Sequence, residues 1–164
     1  MAVYVLDSNF FIQAHRANYP LDVALGFWNK VQQLAKEGKI ISIDKVKNEI
    51  FKNEDDLKKW CEKNLPKDFF KDTKTVLDSY SQIVSWAVSM NHQYTQNALN
   101  EFLDAEEADA WLISYAHTHK LTIITQELSQ PESKRKVKIP DVCIHFSISF
   151  INTIEMFREL REHF

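Results

Sequence analysis

Three short apolar runs constrain this chain more than any other feature: Val3–Leu6, Ile40–Ile43 and Leu121–Thr125. Each is apolar on most consecutive residues, which marks a strand buried on both faces rather than one with a wet side. Longer segments with apolar residues at three- and four-residue spacing lie between them. Parallel strands need crossovers of that length, whereas a hairpin needs only a tight turn. The pattern predicts a parallel α/β sheet with helices on both faces.

The first strand leads into a helix from about Asn9 to Ala17, capped by Ser8 or Asn9. Pro20 opens a long helix to about Glu37, with Leu21, Leu25, Trp28, Val31 and Leu34 on its apolar side and Gly38 as its stop. Asp44 caps a short helix through Phe51. The stretch from about Asp55 to Phe102 reads as mainly helical, with Val76, Tyr80, Ile83, Ala87 and Met90 in one stripe. A further helix runs from Glu106 to His119. Gln126 to Asp141 is irregular and holds Pro131 and Pro140. Val142–Ile144 reads as a fourth strand, and about Phe150 to Glu162 as a closing amphipathic helix.

Composition narrows the chemistry. A length of 164 residues suits a single domain over 1–164. Gly26 and Gly38 are the only glycines, so neither a Walker A loop nor a G-x-G-x-x-G fingerprint can be built. Phosphate chemistry must therefore rest on metal ions and carboxylates. The balance of 20 basic against 23 acidic side chains, a net charge of −3, gives no overall positive field for nucleic acid. Cys61 and Cys143 form no C-x-x-C pair and suggest neither a disulfide framework nor zinc. No apolar run reaches the ~20 residues of a membrane span, and Asp7 interrupts any signal-peptide core. The expected setting is the cytoplasm, with no membrane partner.

Four acids stand out by position. Asp7 ends the first strand and Glu127 lies just past the third, at the strand ends where open parallel sheets gather functional groups. Glu49 lies three residues after Val46 on the edge of an apolar stripe, and Asp109 shares a stripe with Leu112, Ile113 and Ala116. An acid facing a core is costly unless paired, protonated or metal-bound. Carboxylates converging on one point repel by about 4 kcal/mol per close pair at an effective dielectric of about 20. A hard divalent cation such as Mg²⁺ or Mn²⁺ reverses that sign. The pattern points to a metal-dependent phosphodiester hydrolase, with Asp7, Glu49, Asp109 and Glu127 as ligands.

Ser8 and Thr125 are placed to hydrogen-bond these carboxylates or metal-bound water, besides capping and turn roles. Lys134, Arg135, Lys136 and Lys138 make the densest basic run, read either as a mobile clamp on phosphates or as a solvated loop. Glu107, with Asp104 and Glu106, crowds the start of the Asp109 helix as a cap or an alternative ligand. His117 and His119 are two apart, face different directions on a helix and read as surface.

At these residues the sequence resembles the PIN-domain nucleases, the group that includes the VapC toxins. V-Y-V-L-D-S-N-F-F-I (Val3 to Ile12) is similar to that family's opening strand, which ends in Asp-Ser/Thr-Asn. K-V-K-N-E-I (Lys45 to Ile50) resembles the segment carrying the second acid, here Glu49, and A-D-A-W-L-I-S-Y-A (Ala108 to Ala116) the third, here Asp109. L-T-I-I-T-Q-E (Leu121 to Glu127) resembles the fourth element, with Glu127 one methylene longer than the usual Asp. The Y-P-x-D-V…F-W segment (Tyr19 to Trp28) and K-I-P-D-V-C (Lys138 to Cys143) are similar to an uncharacterised PIN-like branch.

The resemblance implies a three-layer α/β/α sandwich, Mg²⁺ or Mn²⁺ dependence and cleavage of single-stranded RNA. It also implies a toxin role with a separate antitoxin protein blocking the site. PIN-domain toxins often form homodimers, though no interface stripe in this sequence demands one. A catalytically inactive binding module on the same scaffold and a structure-specific DNA nuclease are the alternatives.

Overall fold

The structure, a computed structural model, describes residues 3–164. The strands are β1 (Tyr4–Leu6), β2 (Ile40–Ile43), β3 (Phe70–Lys71), β4 (Thr122–Ile124) and β5 (Phe150–Ile151). They form one all-parallel sheet in the order β3-β2-β1-β4-β5. The helices are α1 (Ser8–Gln13), α2 (Leu25–Lys36), α3 (Asp44–Phe51), α4 (Asp56–Asn64), α5 (Leu77–Ser89), α6 (Gln96–Leu103), α7 (Asp109–His119), α8 (Ile139–Phe146) and α9 (Thr153–Leu160).

The chain steps outward from β1 to β2 to β3, then returns past β1 to β4 and β5. Right-handed crossovers therefore place α1–α4 on one face and α5–α8 on the other. On that second face α7 lies across β2 and β4 and packs against α5, α6 and α8. On the first face Phe157 of α9 joins Phe27 of α2. The expected three-layer sandwich is thus present. Val5, Leu6, Ile40, Ile43, Ile123 and Ile124 have no exposed surface, which is why the three inner strands were apolar without alternation.

The departures have local causes. Pro20 begins a turn whose carbonyl accepts from Val23 and Ala24, and α2 starts only at Leu25. Gly38 does end that helix, at φ +72°, with Lys39 N–H returning to the Leu34 carbonyl. Neither Ser8 nor Asn9 is the cap of α1: Asp7 holds the extended cap position, and Ser8 is already helical. After α1 the chain widens into a π turn over Ala14–Asn18. Asp44 is the first helical residue of α3, and its carboxylate accepts from Lys45 N–H and from the Thr73 N–H and hydroxyl.

Val142–Ile144 is not a strand. It lies in α8, where Ile139, Val142 and Cys143 turn inward at helical spacing while Ile144 faces out, 59% exposed. The sheet is instead completed by the two-residue strands β3 and β5, which lie in segments expected to be helical. Among the described residues, no helix is long and apolar enough to cross a membrane.

Candidate active site

The strand order reverses between β1 and β4, so their carboxyl ends open a crevice where flanking crossovers diverge. Asp7 leaves β1 there, its N–H still paired to the Ile124 carbonyl of β4 at 3.0 Å. Its carboxylate is 2% exposed and accepts from Ser8 Oγ at 3.3 Å and Thr125 Oγ1 at 3.1 Å. Thr125 Oγ1 in turn accepts from Glu127 N–H at 3.1 Å, which shapes the turn carrying Glu127. Ser8 and Thr125 thus both donate to the Asp7 carboxylate.

Asp109 is the first residue of α7, half-buried on the layer opposite α1. Burial, and after it the charge of Glu127, push the Asp7 carboxyl from its ordinary value near 3.8 up to about 6, against the Thr125 hydrogen bond. Asp109 is raised well above its ordinary value by burial, then by Asp7, Glu127 and Glu49, with Lys136 opposing. The structure thus brings all four acids into one electrostatic neighbourhood, from segments up to 120 residues apart (Glu127 against Asp7, 127 − 7). Glu107 joins its edge, its carboxyl raised by burial and by the charge of Glu49.

Two of the four are committed to protein partners. Glu49 Oε1 accepts from Ala108 N–H at 3.0 Å, tying α3 to the start of α7. Glu127 Oε2 accepts from Ile139 N–H at 2.8 Å, and its Oε1 pairs with Lys136 Nζ at 3.0 Å. Among the described residues, no three His, Cys, Asp or Glu side chains form a group that could hold a metal ion. The donor chemistry nonetheless fits Mg²⁺ or Mn²⁺, which needs only one or two carboxylates beside water and phosphate oxygens. Asp7 and Asp109 are the pair whose carboxyls burial holds above their ordinary range, against the Thr125 hydrogen bond at Asp7 and the Lys136 charge at Asp109.

The basic run divides. Lys134 and Arg135 are exposed, while Lys136 turns inward to Glu127 and faces Asp109. Burial lowers the Lys136 pKa, and the hydrogen bond and charge of Glu127 more than offset it, so the ammonium is retained. The loop is braced rather than free. Gln93 Nε2 donates to the Pro131 and Ser133 carbonyls, Thr95 N–H to the Lys134 carbonyl, and Ser133 Oγ to the Lys136 carbonyl.

A cleft of about 330 Å³ adjoins the acids, lined by Asn9, Gln13, Gln130, Lys138 and Leu128 beside Glu127 and Lys136. Sequence reasoning gave Asn9, Gln13 and Gln130 no part in a site, and counted Lys138 only within the basic run. The available signal was weak: Asn9 and Gln13 stand at i, i+4 on α1, and Lys138 follows Lys136 by two. A cleft of about 380 Å³ lies at the amino ends of β4 and β5, between His117, Lys120 and Phe146, and contains none of the acids. His117 is half-buried there, not a surface residue, with Nδ1 2.9 Å from Ser79 Oγ.

A family model matches residues 4–164, under the description "domain of unknown function (DUF4411)". The chain belongs to this DUF4411 family. Among curated proteins none matches it. Among solved structures, this DUF4411 chain is similar to a chain of VapBC2 from Rickettsia felis, crystallised bound to a DNA fragment from their promoter. The TM-score is 0.53 at 14% identity, over 92% of this chain and 98% of that one. Likeness at that identity shows the fold alone, a PIN-like α/β/α sandwich.

Proposed function

We propose that this DUF4411 protein is a metal-dependent nuclease of PIN type that cleaves single-stranded RNA. The observation that carries the reading is the meeting of Asp7 and Asp109, two inward carboxylates from opposite layers, at the switch point of the sheet. A fold gains no stability from their mutual repulsion, so the arrangement makes sense where a cation is bound. Bound Mg²⁺ or Mn²⁺ would supply an activated water and charge stabilisation at the phosphate. Asp7 and Asp109 would hold it, with Glu49 and Glu127 within electrostatic reach. Ser8 and Thr125 fix the Asp7 carboxylate, and Lys136 offers an ammonium to a phosphate at the cleft mouth.

The similarity to a VapBC2 chain adds the reading that an antitoxin protein covers this crevice in the cell. A homodimer belongs to the same reading. The decisive experiment incubates the protein with labelled single-stranded RNA and DNA in Mn²⁺ or in EDTA. Cleavage of RNA in Mn²⁺ alone, lost in Asp7→Asn and in Asp109→Asn, supports the proposal. DNA as the only substrate would replace it with the DNA-nuclease alternative, and no cleavage of either would leave the binding-module alternative.

A further inference from the structure

The cleft beside the acids has a composition that a phosphate site alone does not require. Asn9 and Gln13 project from α1 on one side, and Gln130 and Lys138 from the 126–138 loop on the other. Among the described residues, the side chains of Asn9, Gln13 and Gln130 make no hydrogen bond within the protein, and Lys138 makes no ion pair. Gln126 differs, since its amide is held by Thr153 Oγ1 at 2.6 Å. Leu128 lies along the same cleft with 77% of its surface exposed. Glu127 and Lys136 form the wall shared with the carboxylates.

A carboxamide presents a donor and an acceptor side by side and matches a base edge with the same pair. Lysine supplies charge without geometry and suits phosphate. An apolar side chain can cover the face of a base. The volume of about 330 Å³ falls within the size range of small-ligand sites. We propose that this cleft is a base-reading subsite for one unpaired nucleotide of the substrate RNA, adjoining the scissile phosphate. Asn9, Gln13 and Gln130 pair with the base edge, Leu128 lies against its face, and Lys138 holds the neighbouring phosphate. The amide pattern matches the N6/N7 edge of adenine, so adenine is the favoured base. The inference rests on the nuclease reading above and adds the substrate position that gives it sequence preference.

The test digests a randomised single-stranded RNA pool in Mn²⁺ and reads the bases beside each cut. Wild type should prefer adenine at one flanking position by about tenfold, the discrimination of a good bidentate pair. In the Gln13→Ala/Gln130→Ala double variant the preference should collapse toward parity, and Lys138→Ala should slow cleavage of all sequences alike. Both glutamines are exposed, and matching thermal melts confirm that the variant folds. Cleavage without base preference, or a preference unchanged in the double variant, overturns the subsite while leaving the nuclease reading intact. If no RNA is cut, that reading fails separately. The subsite is then tested by saturation-transfer NMR with AMP and UMP in EDTA. AMP signals favoured over UMP in wild type and lost in the double variant support it, and equal signals overturn it.

Discussion

Lys136 Nζ lies 3.0 Å from Glu127 Oε1 and faces Asp109, so an ammonium stands among the acids that a divalent cation would join. Lysine and metal compete for the same negative potential. Replacing Lys136 with Met should tighten Mn²⁺ binding by about tenfold, equivalent to removing about 1.4 kcal/mol of repulsion. Electron paramagnetic resonance of free Mn²⁺ measures this directly. Unchanged or weaker binding would show that Lys136 serves to position Glu127 instead.

The Asp7 carboxyl makes the metal-free fold pH-sensitive. Its folded pKa of about 6 lies above the ordinary 3.8, so the fold favours the protonated form. That stabilising contribution is complete below about 3.8 and is lost as pH rises through about 6. Over this window Asp7 costs on the order of 2 to 3 kcal/mol, roughly 6 to 9 °C in Tm for a chain of this size. In EDTA, Asp7→Asn should therefore gain Tm over wild type between pH 4 and pH 7. Parallel melting curves for the two proteins would refute the burial argument.

Glu49 has a structural and a chemical use that one pair of variants separates. Its Oε1 satisfies the buried Ala108 N–H at the start of α7. Glu49→Ala leaves that donor unpaired, a loss of about 1 to 3 kcal/mol in urea unfolding. Glu49→Gln keeps the acceptor, so its stability should stay near wild type while Mn²⁺-stimulated cleavage falls. Equal destabilisation by both would mean that the charge, not the hydrogen bond, holds α3 to α7.

Thr125 links the two acids of the strand ends, donating to Asp7 Oδ2 and accepting from Glu127 N–H. Thr125→Val keeps the shape and removes both bonds. Asp7 should then titrate at a still higher pH, and Mn²⁺ affinity at neutral pH should fall several-fold by isothermal titration. Thr125→Ser should restore both.

The inner part of the fold was legible because burial on two faces leaves a mark that needs no partner to read. β1, β2 and β4 are such runs, and Asp7 and Glu127 follow from where they stop. The edge strands β3 and β5 are two residues each, shorter than one period of any pattern. Val142–Ile144 misled for a related reason: three consecutive apolar residues fit a strand or a buried helix equally, and only Pro140 at the first turn of α8 favours the helix. Asp109 could be placed on an inward face by its stripe.

The sequence by itself determined a parallel sheet with helices on both faces, put Asp7 and Glu127 at its carboxyl end and turned Asp109 toward the core. Periodicity and strand ends record how each residue meets the core, and that is local information. Tertiary structure alone decided that Glu49 spends its carboxylate on Ala108, that Lys136 leaves the basic run to pair with Glu127, and that Asn9, Gln13 and Gln130 face one cleft. Those pairings join residues from 9 positions apart (136 − 127) to well over 100 (130 − 9 = 121). Their geometry depends on how the layers pack, which no local pattern encodes.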